Sequence, residues 1–126
     1  MMLADSDVLI DYLSGRDPGC ARIALELQHD LATTAVSAFE LLSGVRSSRQ
    51  REKVEALLAA LRVLPVDGTA ATAAATVRLE LEGRGQGLAM ADYLIAGVCL
   101  TRGATLLTRN RAHFERVPDL RLGRLG

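Results

Sequence analysis

The chain has 126 residues and a mass of 13.5 kDa, enough for one domain (residues 1–126) with a real core and too little for two. Apolar residues make up 49%, which excludes a disordered chain, while aromatics are 3% and Trp is absent, so the core is built from Leu, Val, Ile and Ala. Formal net charge is zero, which excludes an overall basic field, although fourteen of the fifteen cations are Arg and Lys53 is the single Lys.

Met2–Ala4 is a short apolar run that reads as a strand and leads into DSDVLIDYLSG. There Val8, Leu9, Tyr12 and Leu13 share a helical face, and Gly15 makes a stop. DPGCARIALELQHD reads as a second helix starting near Pro18. Leu31–Val36 is β-leaning, and a helix begins at Ser37 with Phe39, Leu42 and Val45 apolar. RQREKVEALLAALR is amphipathic, and Val63–Val66 is a short strand whose Pro65 indicates a sheet edge. GTAATAAATVRLELEGRG is an Ala-rich helix ending near Gly83. MADYLIAGVCLTRG is a helix with Leu94, Ile95, Val98 and Cys99 inward and Gly103 as its stop. ATLLT is a strand, RAHFER a helical turn and LRLGRL a last short strand. This alternation predicts an α/β fold with a parallel sheet and helices on both faces.

MMLADSDV has neither the basic start nor the apolar run of a signal peptide, and no apolar run approaches the ~20 residues that span a bilayer. Cys20 and Cys99 lack partners at metal-ligand spacing, so both read as reduced thiols in a cytoplasmic protein.

Three acids stand apart from the solvated helix faces. Asp5 ends the first strand, Glu40 lies in the first turn after the second, and Asp92 lies in the first turn of the helix before the fourth. Each has an ordinary use: Asp5 or Ser6 as an N-cap, Ser37-x-x-Glu40 as a capping box, Asp92 as a dipole-favoured acid. Asp5 and Glu40 nevertheless follow strand C-termini, the edge where open α/β sheets bind ligands, and Asn110 follows the fourth strand there. Carboxylates converging at that edge repel unless a hard cation such as Mg²⁺ or Mn²⁺ neutralises them. Phosphodiester hydrolysis is the chemistry such a site performs well.

LADSDVLIDYL, TTAVSAFELLSGV and MADYLIAGVCLTRGATLLTRNRAHFERVPDLRL together resemble the PIN-domain ribonucleases, specifically VapC-type toxins of bacterial toxin–antitoxin pairs. The resemblance spans almost the whole chain with its segments in family order. It implies a five-stranded parallel sheet ordered 3-2-1-4-5, which sets Asp5 and Asn110 face to face. It also implies metal-binding and catalytic roles for Asp5, Glu40 and Asp92, supporting roles for Ser6 and Thr108, and Asn110 where many relatives carry a fourth acid. Asp7 either returns a charge nearby or is a surface residue bonded to its own helix start.

The resemblance further implies an RNA substrate, a cognate VapB-type antitoxin covering the acidic cleft, and a homodimer or larger toxin–antitoxin assembly, with no membrane partner. Arg109, Arg111 and Arg116 sit near Asn110 and are candidates for RNA phosphates or plain solvated residues; His113 reads as packing before catalysis. The Ala70–Leu81 stretch suits either close contact with another helix or tight packing on the sheet. Two rivals remain: a non-catalytic PIN-like binding module, and a receiver-like signalling domain. The latter needs a Lys after a late strand, whereas Lys53 lies on an early helix.

Overall fold

The computed structural model describes residues 1–126. Strands β1 (Met2–Ala4), β2 (Leu31–Thr34), β3 (Arg62–Leu64), β4 (Thr105–Leu107) and β5 (Arg121–Leu122) form one parallel sheet ordered β3-β2-β1-β4-β5. The three inner strands are continuous short runs rather than alternating ones because helices cover both faces. Leu3, Ala4, Leu106 and Leu107 are wholly buried, and all of Leu31–Thr34 is buried.

Successive side chains leave a strand on opposite faces, so each dipeptide feeds two cores. Ala4 and Leu107 join Val8, Leu9, Ile23, Leu41 and Leu57 beneath α1 (Ser6–Ser14), α2 (Gly19–Glu26), α3 (Ala35–Ser43) and α4 (Ser48–Ala59). Leu3 and Leu106 join Val77, Ile95, Val98 and Phe114 beneath α5 (Gly68–Gly83), α6 (Met90–Arg102) and the short α7 (Arg111–Phe114). The Ala-rich face of α5 is spent on another helix of the same chain. A Cβ added at Gly97 of α6 would lie 2.9 Å from the Ala74 Cβ and press on the Ala70 carbonyl.

The last strand shrinks to Arg121–Leu122, and two other boundaries differ from the expected ones for a physical reason. β3 ends at Leu64, and Pro65 follows it because a residue without N–H cannot extend the ladder. β2 ends at Thr34, and α3 starts at Ala35 rather than at Ser37. The Thr34 hydroxyl accepts from the Ser37 amide at 3.0 Å, so Thr34 is the cap and Ser37 the third helical residue. Glu40 is therefore in the second turn and free of a capping box. The inner face of α3 is Ser37, Ala38 and Leu41, which leaves Phe39 69% exposed.

Candidate functional site

The site is built where β1 and β4 run side by side. Pairing of Ala4 with Leu107 places Asp5 beside Thr108, and the Asp5 amide donates to the Leu107 carbonyl at 2.9 Å. Asp5 has extended backbone and caps α1, accepting from the Ser6 amide at 2.8 Å through Oδ1. Its Oδ2 accepts from Thr108 Oγ1 at 2.8 Å. Asp7, in the first turn of α1, turns to the same loop: its Oδ2 accepts from the Arg109 amide at 3.0 Å and lies 3.3 Å from Thr108 Oγ1. One hydroxyl proton serves one carboxylate at a time, and the shorter contact is to Asp5. Ser6 Oγ donates to Glu40 Oε1 at 3.2 Å, drawing the exposed Glu40 of α3 to the N-terminus of α1.

Negative charge accumulates here with only partial compensation from Arg109 and His113. Burial, the neighbouring Asp7 and, to a smaller extent, Glu40 push the Asp5 carboxyl up to about 7 against the bonds from Thr108 and Ser6. Burial likewise raises Asp7, opposed by the Arg109 amide, then the Val8 amide, then the Arg109 guanidinium. Asp92, half-buried in the first turn of α6, is raised by burial and by Asp7, with His113 opposing. Burial, then the charge of Asp5, lifts the Cys99 thiol to about 12, so it is an inert core group.

Asp5, Ser6, Glu40 and Thr108 are thus joined directly, and Asp92 is coupled to them through the field of Asp7. Asn110 does not join by its side chain. Its amide donates to Thr108 Oγ1 at 3.0 Å, and its carboxamide does not cap α7. Asp7 is not a surface residue, although the Val8 amide at its own helix start favours its charged form. It is half-buried at the centre of the cluster, with Oδ1 buried and unpartnered, and it brings the charge that Asn110 lacks. The signal available for it was the Asp-x-Asp spacing at a helix start, which turns both side chains toward the same sheet edge.

No three His, Cys, Asp or Glu side chains are already gathered to hold one ion: Asp5 and Asp7 share the Thr108 hydroxyl, and Glu40 meets the Ser6 hydroxyl. The donor chemistry fits a hard divalent cation all the same. The donors are carboxylate oxygens, one of them is buried without a partner, and burial raises the proton affinity of three of the acids.

A family model for the PIN domain matches residues 2–120. The chain belongs to the PIN domain family. This PIN domain is 30% identical over 124 residues to the tRNA(fMet)-specific endonuclease VapC of Shigella flexneri, covering 94% of this chain and 93% of that protein. It is 32% identical over 123 residues to ribonuclease VapC19 of Mycobacterium tuberculosis (strain H37Rv), covering 95% and 97%. Among solved structures it matches DNA-bound VapBC from Salmonella typhimurium with a TM-score of 0.84 and 25% identity over 100% of both chains.

The arginines of this PIN domain divide by use. Arg109 Nε lies 2.9 Å from Oδ2 of Asp11, a buried mid-helix acid that no motif singled out. Arg111 Nη1 donates to the Gly123 carbonyl at 2.7 Å, tying α7 to the tail after β5. Arg116 Nη1 donates to the Gly87 carbonyl at 3.2 Å, on the connection between α5 and α6. A groove of about 350 Å³ between α1, α3 and α4 is lined by Glu40, Lys53, Ile10, Leu13, Leu41 and Val54.

Proposed function

We propose that this PIN domain is a Mg²⁺- or Mn²⁺-dependent endoribonuclease, the toxin of a type II toxin–antitoxin pair neutralised by a cognate VapB-type antitoxin. The observation that carries it is the cluster of Asp5, Asp7, Glu40 and Asp92 at the C-terminal edge of a sheet, with three of the four raised in proton affinity by burial, in a chain whose relatives over nearly its whole length are VapC ribonucleases. Asp5, Glu40 and Asp92 are the residues that would hold the metal. When bound, the metal supplies an acidified water and neutralises charge on the phosphodiester during in-line attack.

The chain's own groups prepare that site. Thr108 fixes the Asp5 carboxylate by donating to Oδ2, and the Ser6 amide fixes Oδ1. Ser6 Oγ holds Glu40 toward the same point. Asp5 retains a proton below about pH 7, so ligation requires that it be released. The apolar groove that opens at Glu40 supports a seat for the antitoxin, whose polar end would then reach the acids. A homodimer and a cytoplasmic site of action belong to the same reading; no helix is long and apolar enough to cross a membrane.

The test is cleavage of RNA with Mg²⁺ or Mn²⁺ by the wild type, Asp5→Asn and Asp92→Asn. Each substitution should cost about a hundredfold or more in rate. Undiminished cleavage by both variants overturns the site, and no cleavage by the antitoxin-free wild type overturns the activity in favour of a binding module.

A further inference from the structure

Across Thr108 from the acids lies a second depression, about 580 Å³, lined by Pro18, Thr108, Arg109, Arg111, Arg124 and the last two residues of the chain. Three arginines line it, and no Asp or Glu is among the lining residues. Arg109 is anchored through Asp11 and Arg111 through the Gly123 carbonyl, so two of the three cations are held in place by the fold. Arg124 is different. Only its backbone is engaged, its carbonyl accepting from Arg22 Nη1 at 2.7 Å, while its exposed side chain has no partner. That bond fixes the chain at Arg124 and leaves the guanidinium available at the rim.

Thr108 is shared by both features. Its hydroxyl contacts Asp5 on one side, and its residue forms part of the wall of the arginine depression on the other. A strand whose scissile phosphate sits at the acids and whose backbone continues past Thr108 would enter a depression suited to phosphate. Guanidinium forks bind phosphate oxygens bidentately, and such contacts position a nucleic acid without reading its sequence. We infer that the depression bounded by Arg109, Arg111 and Arg124 is a backbone-phosphate subsite for single-stranded RNA next to the cleavage centre, with Arg124 as its free contact. The inference rests on the nuclease reading for the identity of the ligand. It assigns Arg124, and excludes Arg116, which does not line the depression and is bonded to the α5–α6 connection.

The experiment separates binding from cleavage. Anisotropy of a fluorescein-labelled single-stranded RNA is followed against the full chain in chelator over a series of salt concentrations, with the RNA checked for integrity on a gel. Arg124→Gln should weaken binding about fivefold for any RNA sequence and lower the salt slope by about 0.7, one phosphate contact. Arg124→Lys should restore the slope and part of the affinity, and Arg116→Gln should match the wild type. An unchanged Kd and slope for Arg124→Gln overturns the subsite, as does an equal loss in Arg116→Gln, which would mark a diffuse field. Loss of antitoxin binding with RNA binding intact also overturns it, assigning the depression to the protein partner. Failure of the nuclease reading shows elsewhere, as no cleavage by the metal-loaded wild type even though the Arg124 effect on RNA binding is present.

Discussion

Replacing Asp5 by Asn removes a charge that the folded chain holds at a cost. Burial, with Asp7 alongside, lifts the Asp5 carboxyl from the 3.8 of an unperturbed aspartate to about 7. At about 1.4 kcal/mol for each tenfold change in proton affinity, an ionised Asp5 disfavours the native state by roughly 3–4 kcal/mol at pH 8. The native chain binds the proton more tightly than the unfolded one, so stability is highest at acid pH and falls as pH rises toward and through about 7. Asn keeps an oxygen for the Ser6 amide and carries no charge. In chelator, Asp5→Asn should therefore exceed the wild type by roughly 3–4 kcal/mol at pH 8 and by less than about 1 kcal/mol near pH 4. Urea unfolding followed by circular dichroism between these limits, with m unchanged, measures the difference directly. A stability difference that does not vary with pH would refute the reasoning, because it would mean that Asp5 titrates normally in the folded chain.

The same proton links metal to pH: Mn²⁺ affinity of the wild type, by calorimetry, should rise about tenfold from pH 6 to pH 8, and a flat profile counts against Asp5 as a ligand. The Asp11–Arg109 pair should be lopsided. Arg109→Met strands the buried Asp11 carboxylate, with Arg16 no nearer than 4.0 Å, and should cost about 2–4 kcal/mol; Asp11→Asn leaves a half-exposed guanidinium that reaches water and should cost under about 1 kcal/mol. The reverse ranking in urea unfolding, or no recovery in the double variant, rejects that account. Gly97→Ala should cost about 1–3 kcal/mol through the clash with Ala70 and Ala74, while Gly83→Ala, with open space around it, should be neutral in the same measurement.

Much of the fold was legible because its strands are short apolar runs broken by helical periodicity, a one-dimensional pattern. Met2–Ala4 and its helix are where that pattern put them. The miss at α3 is a competition between neighbours. Thr34 and Ser37 are both good caps, and the sequence offers Ser37 with a Glu three residues on, yet the Thr34 hydroxyl is the one beside the amide that needs it. The Ala70–Leu81 stretch alone leaves the choice open between the sheet and another helix, because small residues permit close approach without naming the partner, which is Gly97 of α6. Asp11 carried no signal at all: an acid in the middle of an amphipathic helix reads as solvated until Arg109 arrives from a loop 98 positions along the chain.

Local pattern and order along the chain are enough for the alternating elements, the Asp5, Glu40 and Asp92 motifs in family order, and the family to which they belong. Tertiary structure alone decided which charges meet. Parallel pairing of β1 with β4 sets Thr108 against Asp5, brings Asp7 rather than Asn110 into the cluster, and draws Arg109 away to Asp11. The reason is physical. Periodicity reports which face of an element is apolar, whereas the burial that does most to lift Asp5 to about 7, and the Thr108 hydroxyl that opposes the lift, depend on β1 lying beside a strand about a hundred residues on, which no local pattern records.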